Sequence, residues 1–102
     1  MQWYHYFSGF LAGMFLANFV PHFVNGVSGN GFPTPFAKPP GKGLSSPTVN
    51  VWWALFNVVA GYLLLKAGKV STDDNLSMAI FFVGAALISL FSAKVFASKD
   101  KA

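Results

Sequence analysis

The chain has 102 residues, of which 54% are hydrophobic and only 10% are charged. A water-soluble domain of this size needs more polar surface, because small domains have a high ratio of surface to volume. The chain contains no cysteine, which excludes disulfide frameworks and sulfur-ligated metal centres, and its net charge of +4 comes from lysines that form no basic face, so nucleic acid is not expected as a partner.

Three long apolar segments without Asp, Glu, Lys or Arg fill most of the chain. Each is close to the roughly 20 residues that a helix needs to cross the hydrocarbon core of a bilayer. The segments therefore predict an all-α integral membrane protein in contact with the lipid bilayer, folded as one domain over residues 1–102. The predicted elements are helix 1 at about 3–23, a loop at 24–46, helix 2 at about 47–67 and helix 3 at about 72–97.

The first segment begins with Trp3, Tyr4 and Tyr6, which are typical of a membrane interface. Pro21 has no N–H for the helical ladder, so it predicts either a kink or the end of the span. A stripe of small residues (Gly9, Gly13 and Ala17) predicts close helix packing.

Asn18 and His22 lie one turn apart, far around helix 1 from the stripe of small residues. One face would then serve packing within the monomer and the other a neighbouring subunit. Two contact faces on one span favour a homo-oligomer or a place in a larger membrane protein complex.

Residues 25–46 read NGVSGNGFPTPFAKPPGKGLSS and contain mostly Gly, Pro, Asn and Ser, which disfavour a regular helix or strand. The segment is longer than most connections between helices. It carries Phe32 and Phe36, each next to a proline, and a fully solvated linker has little use for them. We expect an ordered loop that packs on the helix ends, the alternative being a flexible connector.

The second segment has a clear start, with Ser46 as N-cap and Pro47 as first helical residue. Trp52 and Trp53 follow at interfacial depth, and Gly68 is the expected C′ residue. Asn57 lies well inside the span, and because an unpaired amide in hydrocarbon is costly, it needs a polar partner. The predicted packing face comprises Asn50, Ala54, Asn57 and Gly61.

For the third segment we expect Ser71 or Thr72 as N-cap, with Asp73 and Asp74 in the first turn, where carboxylates favour the positive end of the helix dipole. Helical spacing separates an aliphatic side from a side of small residues. The aliphatic side, expected to face lipid, comprises Leu76, Ile80, Val83, Leu87 and Leu90. The packing side comprises Ser77, Gly84, Ala85, Ser89, Ser92 and Ala93.

The lysines predict the orientation of the chain. Three spans place the loop and the C-terminus on one side of the membrane, with five lysines, and leave two lysines on the other side. Since positive residues favour the cytoplasmic side, we predict that the 24–46 loop and the C-terminus are cytoplasmic and that the N-terminus is external. The five are Lys38, Lys42, Lys94, Lys99 and Lys101, and the two are Lys66 and Lys69.

His22 is the strongest candidate for chemistry, because a histidine at the membrane border can bind a cofactor, relay protons or contact a lipid head group. The alternative is that His22 binds backbone carbonyls freed by Pro21. A metal site is not predicted, because His5 lies about 25 Å away on the same helix and no carboxylate is close in sequence. The candidate ligand-binding residues are His22, Asn18, Asn25 and Asn57.

The carboxylates Asp73, Asp74 and Asp100 all lie at helix ends, so no acid–base pair is evident and the chain is not expected to be an enzyme. The stretch PHFVNGVSGNGFPTPFAKPPGKGLSSPTVNVWW, over Pro21–Trp53, resembles a family of small bacterial multi-span membrane proteins of unassigned function. The resemblance implies a bacterial inner (cytoplasmic) membrane and carries no activity and no site residues.

These observations favour a non-enzymatic membrane subunit that assembles with itself or with a larger complex. One alternative is a minimal oligomeric channel or transporter, lined by Asn50, Asn57 and the small side of helix 3. The other is a cofactor- or lipid-binding membrane module that uses His22 and the 24–46 loop. The sequence specifies no particular cofactor.

Overall fold

The computed structural model describes residues 2–100, so Lys101, one of the lysines used to predict the orientation, lies outside the described residues. Within 2–100 the fold comprises three α-helices and no strand, which confirms the prediction of an all-helical chain with three helices. Each helix is long and apolar enough to cross a membrane. The helices are α1 (Trp3–Val27), α2 (Pro47–Ala67) and α3 (Asn75–Phe96).

Helix α1 continues through Pro21 to Val27, beyond the end predicted near residue 23. The side-chain amide of Asn25 donates to the Pro21 carbonyl oxygen at 2.7 Å. Gly26 lies so close to α2 that a β-carbon there would be 2.7 Å from Val51 Cγ2. Pro21 has no N–H to donate to the helical ladder, yet α1 continues past it. The last turn of α1 packs against α2.

Helix α3 begins at Asn75, and its N-cap is Asp74 rather than Ser71 or Thr72. The Asp74 carboxylate accepts from the backbone N–H groups of Leu76, at 3.1 Å, and Ser77, at 3.3 Å. A carboxylate that accepts from two otherwise unpaired backbone N–H groups is a stabilising N-cap. Ser71 instead lies in the preceding turn, where its hydroxyl accepts from Asp73 N at 3.2 Å.

Helix α1 is the central helix: it packs against both α2 and α3, which make no close backbone contact with each other. The α1–α3 contact centres on two glycines. A β-carbon at Gly13 would overlap the Phe81 carbonyl oxygen, and one at Gly84 would overlap the Phe10 carbonyl oxygen. Bare glycine at both positions lets the two backbones touch.

The α1–α2 contact also depends on glycines. Leu16 packs onto Gly61, where a β-carbon would lie 2.6 Å from Leu16 Cδ2. At the far end, a β-carbon on Gly68 would lie 2.7 Å from Gly9 N. Gly68 was predicted as the C′ residue, but it is the C-cap, with φ −79°, and the residue with a left-handed conformation is Lys69, with φ 51°. Gly68 is thus suited to close approach rather than to conformational freedom.

Both predicted faces of α1 are therefore in use within one chain. The Gly13 side contacts α3, and Asn18 and His22 each form a hydrogen bond with α2. Neither face is left free within the chain, because α1, as the central helix, uses both to hold its own two neighbours. Assembly into a homo-oligomer or a larger complex stays a prediction.

The segment between α1 and α2 folds back over the helix ends. Phe32 and Ser45 pair through two backbone hydrogen bonds of 3.2 and 3.0 Å. The Thr34 hydroxyl lies 2.6 Å from the Ser45 hydroxyl, and Thr34 is buried. Phe32 is buried with its ring 4.9 Å from that of Phe96, whereas Phe36 is 64% exposed. The segment thus covers the end of the bundle at which α3 terminates.

Candidate functional site

A buried hydrogen-bond network joins α1, α2 and the loop at the level of His22. Asn50 is fully buried, and its side-chain NH₂ lies close to three backbone carbonyl oxygens: those of Phe32 at 2.9 Å, Ser46 at 3.1 Å and Ser45 at 3.2 Å. Its side-chain oxygen lies 2.8 Å from His22 Nδ1. One amide thus fixes the position of a histidine and anchors both ends of the loop's backbone pair.

The Asn50 network also determines the tautomer of His22. Carbonyl oxygens only accept hydrogen bonds, so the group of Asn50 that faces three of them is the NH₂ donor. Its oxygen therefore faces His22, and His22 Nδ1 carries the proton that this oxygen accepts. In neutral imidazole the other nitrogen, Nε2, is then an acceptor that faces away from Asn50. No hydrogen bond to Nε2 is found within residues 2–100.

Three aromatic rings surround the His22 ring, each edge to face. The ring centroids of Phe32, Trp53 and Phe96 lie 5.4, 6.3 and 6.4 Å from that of His22. Each of the three comes from a different part of the chain: the loop, α2 and α3. His22 is 2% exposed, so it is a buried polar side chain in an apolar, aromatic environment.

Trp53 has an unpaired hydrogen-bond donor, its indole N–H, in this aromatic environment. Its indole Nε1 is buried and has no hydrogen-bond partner in the part of the chain that the structure describes. Buried N–H groups without a partner are rare and costly. Trp53 was predicted to be an interfacial residue together with Trp52. Trp52 is 70% exposed, but Trp53 is half-buried against the rings of His22 and Phe36.

Asn18 and Asn57 form a second polar pair, one turn further into the bundle. Asn18 Nδ2 donates to Asn57 Oδ1 at 3.1 Å, and Asn57 Nδ2 donates to the Trp53 carbonyl oxygen at 2.8 Å. Asn57 occupies the midpoint of α2 and is 1% exposed. The polar partner that the sequence requires for Asn57 is therefore Asn18. In hydrocarbon such a pair contributes about 0.6 to 2 kcal/mol.

Between α2 and α3 the side chains leave a cleft made of two adjoining cavities, which share Asn18, Trp53 and Ile88. The first, here called the chamber, has a volume of about 360 Å³, is lined by His22 and Trp53 and is covered by the loop. The second, here called the groove, has a volume of about 220 Å³ and reaches from Trp53 to Met14 and Phe15. No charged residue of 2–100 lines either cavity.

The predicted ligand residues are only partly brought together. His22 and Asn18 line the chamber, and Asn18 and Asn57 line the groove. Asn25 lines neither cavity, and its amide donates to its own helix at Pro21. Trp53 was not predicted as a site residue, although its position three residues after Asn50 and four before Asn57 places it beside them on α2.

The predicted packing residues divide into three groups. Those at the helix contacts are Gly9, Gly13, Asn50, Ala54, Gly61, Gly84 and Ala85. Ala17 and Ser92 instead line a cavity of about 420 Å³ between α1 and α3. Ser77 and Ser89 bond within α3 and its cap: Ser77 Oγ donates to the Asp74 carbonyl oxygen, and the exposed Ser89 donates to that of Ala85 at 2.7 Å. The Ser89 hydroxyl is thus satisfied by its own helix, while Ser89 also lines the cavity between α1 and α3, and its role in helix packing stays a prediction.

The chain was also compared with known proteins. No family model, no curated protein and no solved structure matches it.

Proposed function

We propose that the protein is a three-span integral membrane protein of a bacterial inner membrane, with the loop and the C-terminus in the cytoplasm. The charge distribution of the described residues supports this orientation. The end of the bundle that carries the loop has four lysines and one aspartate, Asp100. The opposite end has two lysines, Lys66 and Lys69, balanced by Asp73 and Asp74.

Single cysteines test this orientation directly, because the chain has no cysteine of its own. Thr72 and Lys42 are both exposed and lie at opposite ends of the bundle. In intact spheroplasts we expect a membrane-impermeant maleimide to label the Thr72→Cys variant. The Lys42→Cys variant should be labelled only after the membrane is broken. The reverse pattern would invert the proposed orientation, and labelling of both in intact spheroplasts would contradict three spans.

We infer that the protein is a non-enzymatic module that binds a membrane-soluble amphiphile in the cleft between α2 and α3. The observation that carries this proposal is the unpartnered Trp53 indole N–H beside the buried His22, at the covered end of an apolar cleft. An apolar cavity with a few convergent polar groups is the usual form of a small-molecule site. The chamber would hold the polar head and the groove part of the apolar chain.

The channel hypothesis has weaker support. It needs Asn50 and Asn57 as polar positions that face a pore. Asn50 uses its amide on His22 and three carbonyl groups, and Asn57 uses its amide on Asn18 and Trp53. Both are buried inside one chain.

The proposed function is first tested by measuring whether the purified protein carries a bound amphiphile. Protein purified in a mild detergent should carry about one amphiphile per chain in native mass spectrometry. Ile88→Trp places a large ring where the chamber and the groove meet, so it should remove the bound mass. Leu87→Trp is the matched control, because Leu87 is its neighbour on α3 and is 51% exposed. Circular dichroism would verify that both variants keep their helices.

A wild-type protein without bound mass, or equal retention in the two variants, would contradict the amphiphile-binding module. The same spectra report the number of subunits. An assembly subunit remains the second candidate, because Ser89 and Ala93 leave an exposed small-residue surface on α3 at which another helix can approach. Stable dimers without bound amphiphile would favour that candidate.

A further inference from the structure

The chamber presents one hydrogen-bond donor and one acceptor that the fold does not use. The donor is Trp53 Nε1–H, which is buried and unpaired among the described residues. The acceptor is His22 Nε2, because Asn50 holds the proton of the imidazole on Nδ1. Both residues line the same cavity, and their ring centroids lie 6.3 Å apart. At such a separation a single small polar group can lie within reach of both rings.

We propose that the chamber binds the hydroxyl of a phenol-type head group, whose apolar chain extends into the groove. This inference rests on the proposed function and names the chemistry of its ligand. A hydroxyl both donates and accepts, so it can donate to His22 Nε2 and accept from Trp53 Nε1 at once. Each protein group then gains the partner that it lacks in the fold, which is what a buried site requires of its ligand.

Other head groups match the chamber less well. A phosphate or a carboxylate only accepts hydrogen bonds, so it would meet the lone pair of His22 Nε2 without a donor. Its charge would also be buried without a counter-ion, because no lysine among residues 2–100 lines the chamber. Lys99 lies outside, where its Nζ donates to the Phe96 carbonyl oxygen at 3.4 Å. A ketone or an ester would satisfy Trp53 and leave His22 unpaired.

The walls of the chamber favour a flat ring with one hydroxyl over a head group with several. The Trp53 and Phe96 rings line the chamber and stand edge to face to His22, and aromatic side chains pack well against another ring in such arrangements. The Thr34 hydroxyl is already engaged by the Ser45 hydroxyl and by Phe36 N. A glycerol or sugar head would therefore bring hydroxyl groups for which the chamber offers few partners.

Two matched probes test this chemistry: 4-dodecylphenol, and its methyl ether 4-dodecylanisole, which cannot donate a hydrogen bond. The full chain, labelled with ¹⁵N in its tryptophan side chains and reconstituted in nanodiscs, gives one indole N–H signal per tryptophan. We expect 4-dodecylphenol to shift the Trp53 signal downfield in a saturable manner. The ether should bind about tenfold more weakly, which is the effect of losing roughly one buried hydrogen bond.

Trp53→Phe is the cleanest variant, because the N–H that it removes has no partner in the fold. It assigns the signal and should weaken phenol binding by about fivefold to tenfold, measured on the protein–probe complex by native mass spectrometry. Trp52→Phe, at an exposed neighbour, should leave binding unchanged. His22→Phe is less informative, since it also removes the bond to Asn50.

The outcomes separate this inference from the proposed function. Equal affinity for the two probes, with no effect of Trp53→Phe, would overturn the phenol head group while leaving amphiphile binding in the cleft intact. The same holds if neither probe binds but the purified protein carries a lipid that Ile88→Trp removes. If neither probe binds and no amphiphile co-purifies, both the inference and the proposed function fail.

Discussion

Asn50→Leu is expected to lower the free energy of unfolding by about 3 kcal/mol, because it removes the amide that holds His22 and both segments of the loop's backbone pair. Leucine has a similar size but no polar group. It leaves the His22 Nδ1–H without its acceptor, in a position that is 2% exposed. It also removes the donor that binds the carbonyl oxygens of Phe32, Ser45 and Ser46.

The Phe32 and Ser45 carbonyl oxygens keep a hydrogen bond in Asn50→Leu, whereas the His22 Nδ1–H loses its acceptor. Phe32 O still accepts from Ser45 N at 3.0 Å, and Ser45 O still accepts from Phe32 N at 3.2 Å. The largest part of the cost therefore comes from His22, since one buried donor without a partner costs about 1 to 3 kcal/mol. The loss of the amide bonds to the loop adds to it.

Unfolding in mixed micelles, followed by circular dichroism, measures the effect of Asn50→Leu. Asn30→Leu is the matched control, because Asn30 is an exposed asparagine of the same loop, and we expect it to change stability by less than about 0.5 kcal/mol. A second signal is the accessibility of the loop to protease, which should rise in Asn50→Leu alone. A loss no larger than that of the control would mean that the network does not hold the loop.

The sequence predicted the three helices well, because the length of an apolar segment is set by the bilayer and needs no tertiary information. It also predicted that Asn57 needs a polar partner, which is Asn18 in the fold. It did not predict where α1 ends, since a proline weakens a helix locally while the contacts of Gly26 with α2 are visible only in three dimensions. The N-cap of α3 was not predicted because Ser71, Thr72 and Asp74 are all suitable cap residues. Which of them caps the helix depends on the backbone geometry of the turn, which places Asp74 there.

The candidate site was predictable only in part. His22 was singled out from the sequence, but its partner Asn50 lies 28 residues away, and the proton position on the ring follows only from the carbonyl groups around that amide. Trp53 was assigned to the interface by its residue type. Its burial depends on Phe36, whose ring lies 5.2 Å away, and on His22, neither of which is near it in sequence.

Gly13→Leu is the second substitution with a large expected effect, and it also separates two roles for the small-residue stripe of α1. A β-carbon at Gly13 would overlap the Phe81 carbonyl oxygen and lie 2.9 Å from Ala85 N. Because both are backbone atoms, no rotamer change can relieve the overlap, and α3 must move away from α1. Overpacking of this kind costs about 1 to 3 kcal/mol and occasionally more, so we expect about 3 kcal/mol.

The measurement is unfolding of the monomer in mixed micelles, with Ala86→Leu as control, because Ala86 lies on α3 with its side chain exposed. The control should be nearly neutral. If the stripe instead held two subunits together, Gly13→Leu would lower the apparent mass of the complex and leave the stability of each chain unchanged. Loss of stability without any change in subunit number is therefore the result that assigns Gly13 to the contact between α1 and α3. That result would also mean that any partner of this protein must bind outside the stripe of small residues.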